Sequence, residues 1–346
     1  MAKPFYLKVA ISLWLLASGH QAALAQEDAA AQLYRSKGLS ISVGASAGGG
    51  IDLYARLVAR HIGKHLPGAP TVVVQNMPGA GGLQQMNNVG FIAPKDGSSI
   101  GMINPMMTVA PILTPDFAKY DPSRFSWIGS VNTEIGTCTF WPASKLSSVE
   151  QLKQRRVKMG GIGAAGGSTL DATTLREVLG FSFDIVLGYP GMTEATLAAE
   201  RGEVDGVCGL NVSGLKATHW EAFKRGDVRP LLQTAVRNHP DLPGVANVFN
   251  LATTEEQRQV MRIVFGPWAY GRPLVAPPET DATNLAALRR AFQATMKDAA
   301  FLSDAERIKL EVSPMPPEEI SSLIKSIYQA PPDILERTRV MLAPKK

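Results

Sequence analysis

The chain repeats a unit in which a short apolar strand leads into a glycine-rich loop and then into a helix. The clearest strands are Leu39–Val43, followed by the loop Gly44–Gly50, and Arg156–Gly160, followed by the loop Gly161–Ser168. Strands that are apolar along their whole length and alternate with helices are typical of a parallel sheet covered on both faces. The sequence therefore predicts an α/β protein.

The length and the charge distribution narrow this prediction. A chain of 346 residues exceeds the size at which a single hydrophobic core stops growing, about 250–300 residues, so two lobes are expected. A second series of strand–loop–helix units, beginning near Ile128, fits that expectation. The 35 basic and 30 acidic residues are intermingled, without a basic stripe interleaved with aromatic residues. This pattern argues against a nucleic-acid partner.

The N-terminus has the three parts of a secretory signal peptide. Lys3 and Lys8 provide the positive charge, Val9–Ala17 is a short apolar core, and Ala23–Ala25 is an A-x-A cleavage site before Gln26. The alternative is a membrane anchor, but an apolar core of nine residues is too short to span a bilayer, which takes about 18. We therefore predict an exported protein whose signal peptide, residues 1–25, is removed.

Candidate metal and redox residues are few. Cys138 and Cys208 lie in apolar segments, so an exported chain can join them in a disulfide or bury them as free thiols, and both readings stay open. His61 and His65 have the i, i+4 spacing of two metal ligands, but no H-E-x-x-H motif or third ligand accompanies them. A solvated helix end explains these histidines better. We expect neither a metal site nor a cofactor.

Each glycine-rich loop also matches a catalytic motif. Ser46 is the serine of a G-x-S-x-G sequence, the nucleophile elbow of serine hydrolases. That motif normally follows several strands and needs a later histidine, yet here it follows the first strand, and the last histidine, His239, lies in a turn-like segment. Gly161–Gly166 matches the dinucleotide motif G-x-G-x-x-G, but the nearest acid, Asp184, begins the next strand instead of ending it.

Taken together, the two loops favour the binding of a small anion. A helix N-terminus carries unpaired N–H groups and about half a positive charge, and glycine lets an anion approach that backbone closely. Hydroxyl groups accompany both loops, from Ser46 in the first and from Ser168 and Thr169 in the second. One such loop in each lobe would hold an anion from both sides of a cleft. Asp52 could cap the first helix, contact a ligand amine or do both.

Several motifs, in order from about Gly38 to the C-terminus, resemble one protein family. These are the periplasmic receptors of tripartite tricarboxylate transporters, also called Bug or TctC-type receptors. The chain departs from the family pattern at Met77, where arginine is frequent, and at Ala47, where proline is common. The matching segments are Ala47–Asp52 with Arg56, Val73–Gly82, Asp96-Gly97, Gly161–Ser168, Tyr189–Gly191, Gly202–Asp205, and Arg237 with Leu242–Val245.

The resemblance implies a two-lobed fold of the type II periplasmic-binding-protein kind. Two α/β lobes would be joined by a two-strand hinge, with the ligand cleft between them. Residues 26–134 and 235–346 would form the first lobe, and residues 135–234 would form a second lobe inserted into it.

The resemblance also implies a receptor without enzymatic activity. Such a protein captures a small organic carboxylate and delivers it to the permease subunits of a tripartite membrane transporter, and a monomer is the expected state. Family substrates include dicarboxylates, tricarboxylates, aromatic acids and amino acids. The alternatives are an exported serine hydrolase using Ser46 and a periplasmic sensor that serves a signalling protein. Carried over to this chain, the ligand-binding residues are Ser46, Ala47, Gly48, Gly49, Gly50, Asp52, Asn104, Gly163, Gly167, Ser168, Thr169, Tyr189, Pro190 and Gly191.

Overall fold

The computed structural model describes residues 28–163 and 166–343. The signal peptide predicted for residues 1–25 lies outside these residues. Every helix within the described ranges is too short or too polar to cross a membrane.

The first of two sheets has five strands. They are β1 (Leu39–Val43), β2 (Val72–Asn76), β3 (Ser99–Met102), β4 (Ser126–Ser130) and β11 (Pro273–Ala276). Their order is β2-β1-β3-β11-β4. Strands β1, β2 and β3 are parallel, whereas β11 runs antiparallel to both of its neighbours.

The second sheet has six strands. They are β5 (Gly136–Phe140), β6 (Val157–Gly161), β7 (Phe183–Leu187), β8 (Gly206–Asn211), β9 (Arg229–Thr234) and β10 (Ala246–Asn247). Their order is β10-β9-β5-β8-β6-β7, and β5 runs antiparallel to β8 and β9. Both sheets are therefore mixed, and the prediction of a parallel sheet was wrong at β5 and β11. At these two strands the chain arrives from the other sheet, so no β–helix–β crossover sets the strand direction.

Fifteen helices cover the sheets in the described part of the chain. They are α1 (28–37), α2 (Gly50–Ile62), α3 (Leu83–Phe91), α4 (Ala110–Leu113), α5 (Gln151–Gln154), α6 (Gly167–Leu179), α7 (Met192–Glu200), α8 (Val212–Thr218), α9 (Trp220–Lys224), α10 (Val248–Leu251), α11 (Glu255–Phe265), α12 (Ala282–Met296), α13 (Ala299–Arg307), α14 (Pro317–Tyr328) and α15 (Pro332–Leu342). The helices predicted after the two glycine-rich loops are α2 and α6.

The chain crosses between the sheets in two segments that lie side by side. The first crossing segment joins β4 to β5, and the second crossing segment leads from the second sheet back to β11 in the first sheet. Val131 donates its backbone N–H to the Arg272 carbonyl at 3.1 Å, and Gly271 donates to the Asn132 carbonyl at 3.1 Å. Because β10 pairs with β9, the second sheet extends past residue 234, where the lobe boundary was predicted. The segment by which the chain returns to the first sheet therefore lies after β10, later than residue 234.

A disulfide joins the two cysteines across the second sheet. Cys138 on β5 lies opposite Cys208 on β8, and both side chains are fully buried. Their sulfur atoms are bonded, so the alternative of two free thiols was wrong. The bridge spans a sequence separation of 70 residues, which is a long loop for one crosslink to close.

Loss of this disulfide is expected to lower the free energy of unfolding by about 4 kcal/mol, since that is the chain entropy that a closed loop of this length removes from the unfolded state. Urea unfolding of the variant combining Cys138→Ala and Cys208→Ala measures the loss. Each single replacement should cost about as much as the pair, because either one removes the same crosslink. Wild-type stability in the double variant would contradict a stabilising bridge.

Candidate functional site

A cavity of about 440 Å³ lies between the two sheets. Its walls are the loops that follow β1, β2 and β3 on one side and β6, β7 and β8 on the other, together with residues just before β11. The carboxyl ends of the strands in open α/β sheets are where ligands bind, because the loops and helix N-termini meet there. The volume is within the usual range for small-molecule sites.

Glycine is the N-cap residue of three of the helices that begin at this cavity. Gly49 precedes α2, Gly166 precedes α6 and Gly191 precedes α7, and no side chain makes a capping hydrogen bond at any of them. By contrast, α11, α12 and α13 are capped by threonine or aspartate side chains. The first N–H groups of α2, α6 and α7 therefore lack an intrahelical partner and a side-chain cap. They are available to an anion.

Most of the predicted ligand-binding residues meet at the cavity. The four that do not line it are Ala47, Gly48, Asp52 and Thr169. The ten that line it are Ser46, Gly49, Gly50, Asn104, Gly163, Gly167, Ser168, Tyr189, Pro190 and Gly191.

Asp52 holds the first loop instead of lining the cavity. Its carboxylate, on a residue only 1% exposed, accepts hydrogen bonds from the Gly48 N–H at 2.8 Å, the Arg56 guanidinium at 2.8 Å and the Asn76 amide at 2.9 Å. Burial alone would raise the pKa of Asp52, but these hydrogen bonds outweigh it and hold the pKa below its usual value. Asp52 is therefore an anion in the first turn of α2.

Two of the polar residues at the cavity also support its loops. The Ser168 hydroxyl accepts the Ile162 N–H at 3.1 Å. The Asn104 amide oxygen accepts the Met106 N–H at 3.0 Å, and its NH₂ group donates to the Gly81 carbonyl at 3.3 Å. Each side chain thus fixes the shape of a loop whose backbone faces the cavity.

Arg272 lines the cavity and was missed by the sequence analysis. Its side chain is 3% exposed, with one guanidinium nitrogen 3.3 Å from the Glu134 carboxylate and the other donating to the Gly271 carbonyl at 2.8 Å. When the Asn211 side-chain amide is oriented with its oxygen towards Arg272, both terminal guanidinium nitrogens also donate to that oxygen, each at 3.1 Å. The guanidinium stacks over the Tyr54 ring, 5.2 Å from its centroid. Arg272 and Glu134 lie on the two crossing segments and join them.

Trp268 forms another part of the cavity wall. It is 5% exposed and donates its indole N–H to Asp171 at 3.4 Å. Asp171 is fully buried, and burial raises its pKa well above the usual value. The hydrogen bond fixes the indole ring beside the first turn of α6.

The two sheets approach each other at the mouth of the cavity. A Cβ atom placed on Gly191 would lie 3.3 Å from the Ser46 hydroxyl oxygen and 3.6 Å from its Cβ. Ser46 follows β1 of the first sheet and Gly191 follows β7 of the second. The structure therefore brings the two walls close together at this edge of the cavity.

The described histidines lie beside carboxylates and away from Ser46. Within the described ranges, no hydrogen bond joins Ser46 to a histidine, as a serine nucleophile needs. The pairs are His61 with Asp304 at 3.1 Å, His65 with Asp298 at 2.7 Å, His219 with Glu200 at 2.7 Å and His239 with Glu311 at 3.7 Å. The first two contacts also explain the i, i+4 histidines, which lie against Asp304 on α13 and against Asp298, the N-cap residue of that helix.

Asp184, the candidate ribose ligand of a dinucleotide site, pairs with Arg156 at 2.8 Å. One further cluster has the composition of a metal site, namely His239, Asp241 and Glu311. The Lys216 ammonium group binds both of its carboxylates, so a cation already occupies their centre.

Comparisons with known proteins agree on one family. The sequence model of a family described as "Tripartite tricarboxylate transporter family receptor" matches residues 54–337. A UPF0065 protein of Agrobacterium vitis is 31% identical over 181 residues, which are 51% of each chain. This chain thus spans about half the length of that relative. A UPF0065 protein of Bordetella bronchiseptica is 28% identical over 258 residues, or 71% of this chain and 72% of the relative.

Solved structures share the fold. The periplasmic binding protein BugD superposes with a TM-score of 0.69 at 22% identity, covering 89% of this chain and 98% of BugD. MatC from Rhodopseudomonas palustris, solved with malate, has a TM-score of 0.67 at 18% identity, covering 88% and 98%. Another R. palustris protein, solved with adipate, has a TM-score of 0.67 at 18% identity, covering 88% and 96%. The two-lobed periplasmic-binding-protein fold predicted from the sequence is confirmed.

Proposed function

Since the chain belongs to the tripartite tricarboxylate transporter receptor family, we propose that it captures a small organic carboxylate in the cavity between its two sheets. The observation that carries this proposal is the convergence of three glycine-capped helix N-termini on one cavity. Glycine caps leave N–H groups for a bound anion, and the helix dipoles favour negative charge there. The solved neighbours that hold malate and adipate support a carboxylate ligand.

The affinity can come from many weak contributions. A micromolar site requires about 8 kcal/mol in total. One exposed helix terminus supplies about 0.3–1 kcal/mol, and about 2 kcal/mol when partly buried. Several charge-assisted hydrogen bonds and the exclusion of water on closure would supply the rest. Closure would be a hinge motion of two lobes about the crossing segments that Arg272 and Glu134 join.

Membership of the family supports a wider role. We propose that the protein is exported to the periplasm after cleavage of residues 1–25, acts as a monomer and delivers its ligand to the permease subunits of a tripartite transporter. A sensor that reports to a signalling protein would use the same cavity. Cells that lack this protein should lose uptake of its acid if it serves transport, whereas a sensor would leave uptake intact.

A thermal-shift screen of residues 26–346 against small organic acids tests the proposed binding. Phosphate, sulfate and NAD are the controls. A ligand at 100 times its dissociation constant adds about 2.7 kcal/mol of stability, so a carboxylate that binds should raise the melting temperature while the controls do not. Hydrolysis of an ester substrate, lost in Ser46→Ala, would instead favour the serine hydrolase and contradict the receptor.

A further inference from the structure

The three glycine-capped helix N-termini at the cavity differ in their own charges. The first turn of α2 contains Asp52, and the first turn of α7 contains Glu194. The Glu194 carboxylate lies 2.9 Å from the position of a Cβ on Gly191, which is the N-cap residue of α7. The Glu194 carboxylate offsets the positive end of α7, whereas Arg56 partly balances the charge of Asp52 at α2. An anionic ligand is therefore favoured less strongly at α7, and to a smaller extent at α2, than at a glycine-capped helix without an acidic first turn.

The first turn of α6 contains no acidic residue. The next acid along this helix, Asp171, lies beyond that turn, and burial raises the pKa of its carboxyl. Gly167 and Ser168, the first residues of α6, both line the cavity. The N-terminus of α6 thus presents its partial positive charge without a carboxylate of its own to offset it.

The cavity offers no free cation for a second carboxylate. Among the described residues that line it, Arg272 alone carries a formal charge. Its guanidinium is 3.3 Å from Glu134, and both groups are nearly fully buried, at 3% and 2% exposure. The pair is neutral as a unit. A second ligand carboxylate would be desolvated here without a formal counter-charge, which is unfavourable.

Apolar side chains form part of the wall near α6. The six-membered ring of Trp268 lies 3.1 Å and 3.3 Å from the position of a Cβ on Gly167, which is beside the first turn of α6. Ile162 and Leu210 line the cavity from the loop before α6 and from β8, and Ile51 and Met192 line it from the other two helices. An apolar body next to a bound carboxylate would find matching surface, and a flat ring would find an aromatic one.

We propose that the cavity selects a monocarboxylate with an apolar ring as its body, the carboxylate bound at the N-terminus of α6 and the ring against Trp268. The inference rests on the proposed function and names the ligand class for that site. Two independent features carry it, the charge difference among the three helix N-termini and the apolar wall beside α6.

Calorimetric titration of the wild-type protein with a small panel tests the ligand class. Benzoate and cyclohexanecarboxylate represent ring monocarboxylates, succinate and citrate represent di- and tricarboxylates, and benzamide is the uncharged control. We expect the ring monocarboxylates to bind at least about tenfold more tightly than succinate, citrate or benzamide, a difference of about 1.4 kcal/mol. Tighter binding of succinate or citrate would overturn this inference and leave the receptor proposal standing. No binding by any carboxylate would overturn both.

Ser168→Asp and Ser168→Asn test where the carboxylate lies. Ser168 is 2% exposed, and its hydroxyl accepts the Ile162 N–H. Both replacement side chains keep an acceptor oxygen, and aspartate and asparagine are similar to each other in size. Only aspartate adds an anion to the first turn of α6. We expect Ser168→Asp to bind benzoate about 100-fold more weakly than Ser168→Asn, because of like-charge repulsion. Equal affinities in two variants of equal melting temperature would overturn the placement at α6. The wild-type panel still tests the ligand class if either variant fails to fold.

Discussion

The variant that combines Ser46→Cys with Gly191→Cys is expected to exchange its ligand about 100-fold more slowly when oxidised than when reduced. The Cβ position on Gly191 is 3.6 Å from the Ser46 Cβ, within the range of disulfides. Gly191 has a φ of −157°, an extended conformation that cysteine adopts without strain. The new bond would hold the two walls together at the mouth of the cavity, so a ligand inside could not leave.

Fluorescent or radiolabelled ligand, displaced by excess unlabelled ligand, measures the exchange rate. The two single-cysteine variants and the wild type are the controls, and a mild reductant should leave their rates unchanged. Fast exchange in the oxidised double variant, with the bond confirmed by mass spectrometry, would contradict a mouth that must open for the ligand.

Arg272→Met is expected to lower the free energy of unfolding by about 3–5 kcal/mol. The replacement keeps an unbranched side chain but leaves the Glu134 carboxylate, on a residue 5% exposed, without its cation. The Asn132 amide still donates to that carboxylate at 2.8 Å, but a neutral donor does not balance the charge. Because the pair joins the two crossing segments, the loss should also loosen the connection between the sheets.

Adding Glu134→Gln to Arg272→Met should recover most of that stability, since the uncompensated charge is then gone. Urea unfolding of the wild type, both single variants and the double variant gives the coupling energy directly. A double variant no more stable than Arg272→Met would contradict the assignment of the cost to a buried unpaired carboxylate.

The sequence predicted well what depends on local pattern. The strand predicted at Leu39–Val43 is β1, and the one predicted at Arg156–Gly160 is β6, shifted by one residue. Both are short apolar runs that end at glycines, so the loop and the helix after each strand were also predictable. Because these loops follow strands that are parallel within their sheets, most of their predicted residues meet at one cavity.

The sequence predicted poorly the features that depend on the segment by which the chain crosses back to the first sheet. Strand β11 has only four residues, and its first, Pro273, follows Arg272 directly, so neither the strand nor the role of the arginine has a local signal. Trp268 comes to lie beside Gly167 across about 100 positions of sequence, a contact that no periodicity indicates. The family resemblance gave Asp52 and Thr169 as ligand-binding residues. In the structure Asp52 turns towards Gly48 and Arg56, and neither Asp52 nor Thr169 lines the cavity.

Backbone hydrogen–deuterium exchange at residue resolution, with and without the carboxylate that gives the largest thermal shift, tests the central claim most directly. The protein is first unfolded and refolded to remove any bound ligand. We predict that ligand slows exchange at Gly167, Ser168 and Thr169, whose N–H groups precede the first intrahelical bond of α6. The first turn of α11, capped by Thr254, should not change. Protection that is absent from α6 and arises elsewhere would contradict a carboxylate bound at this helix N-terminus.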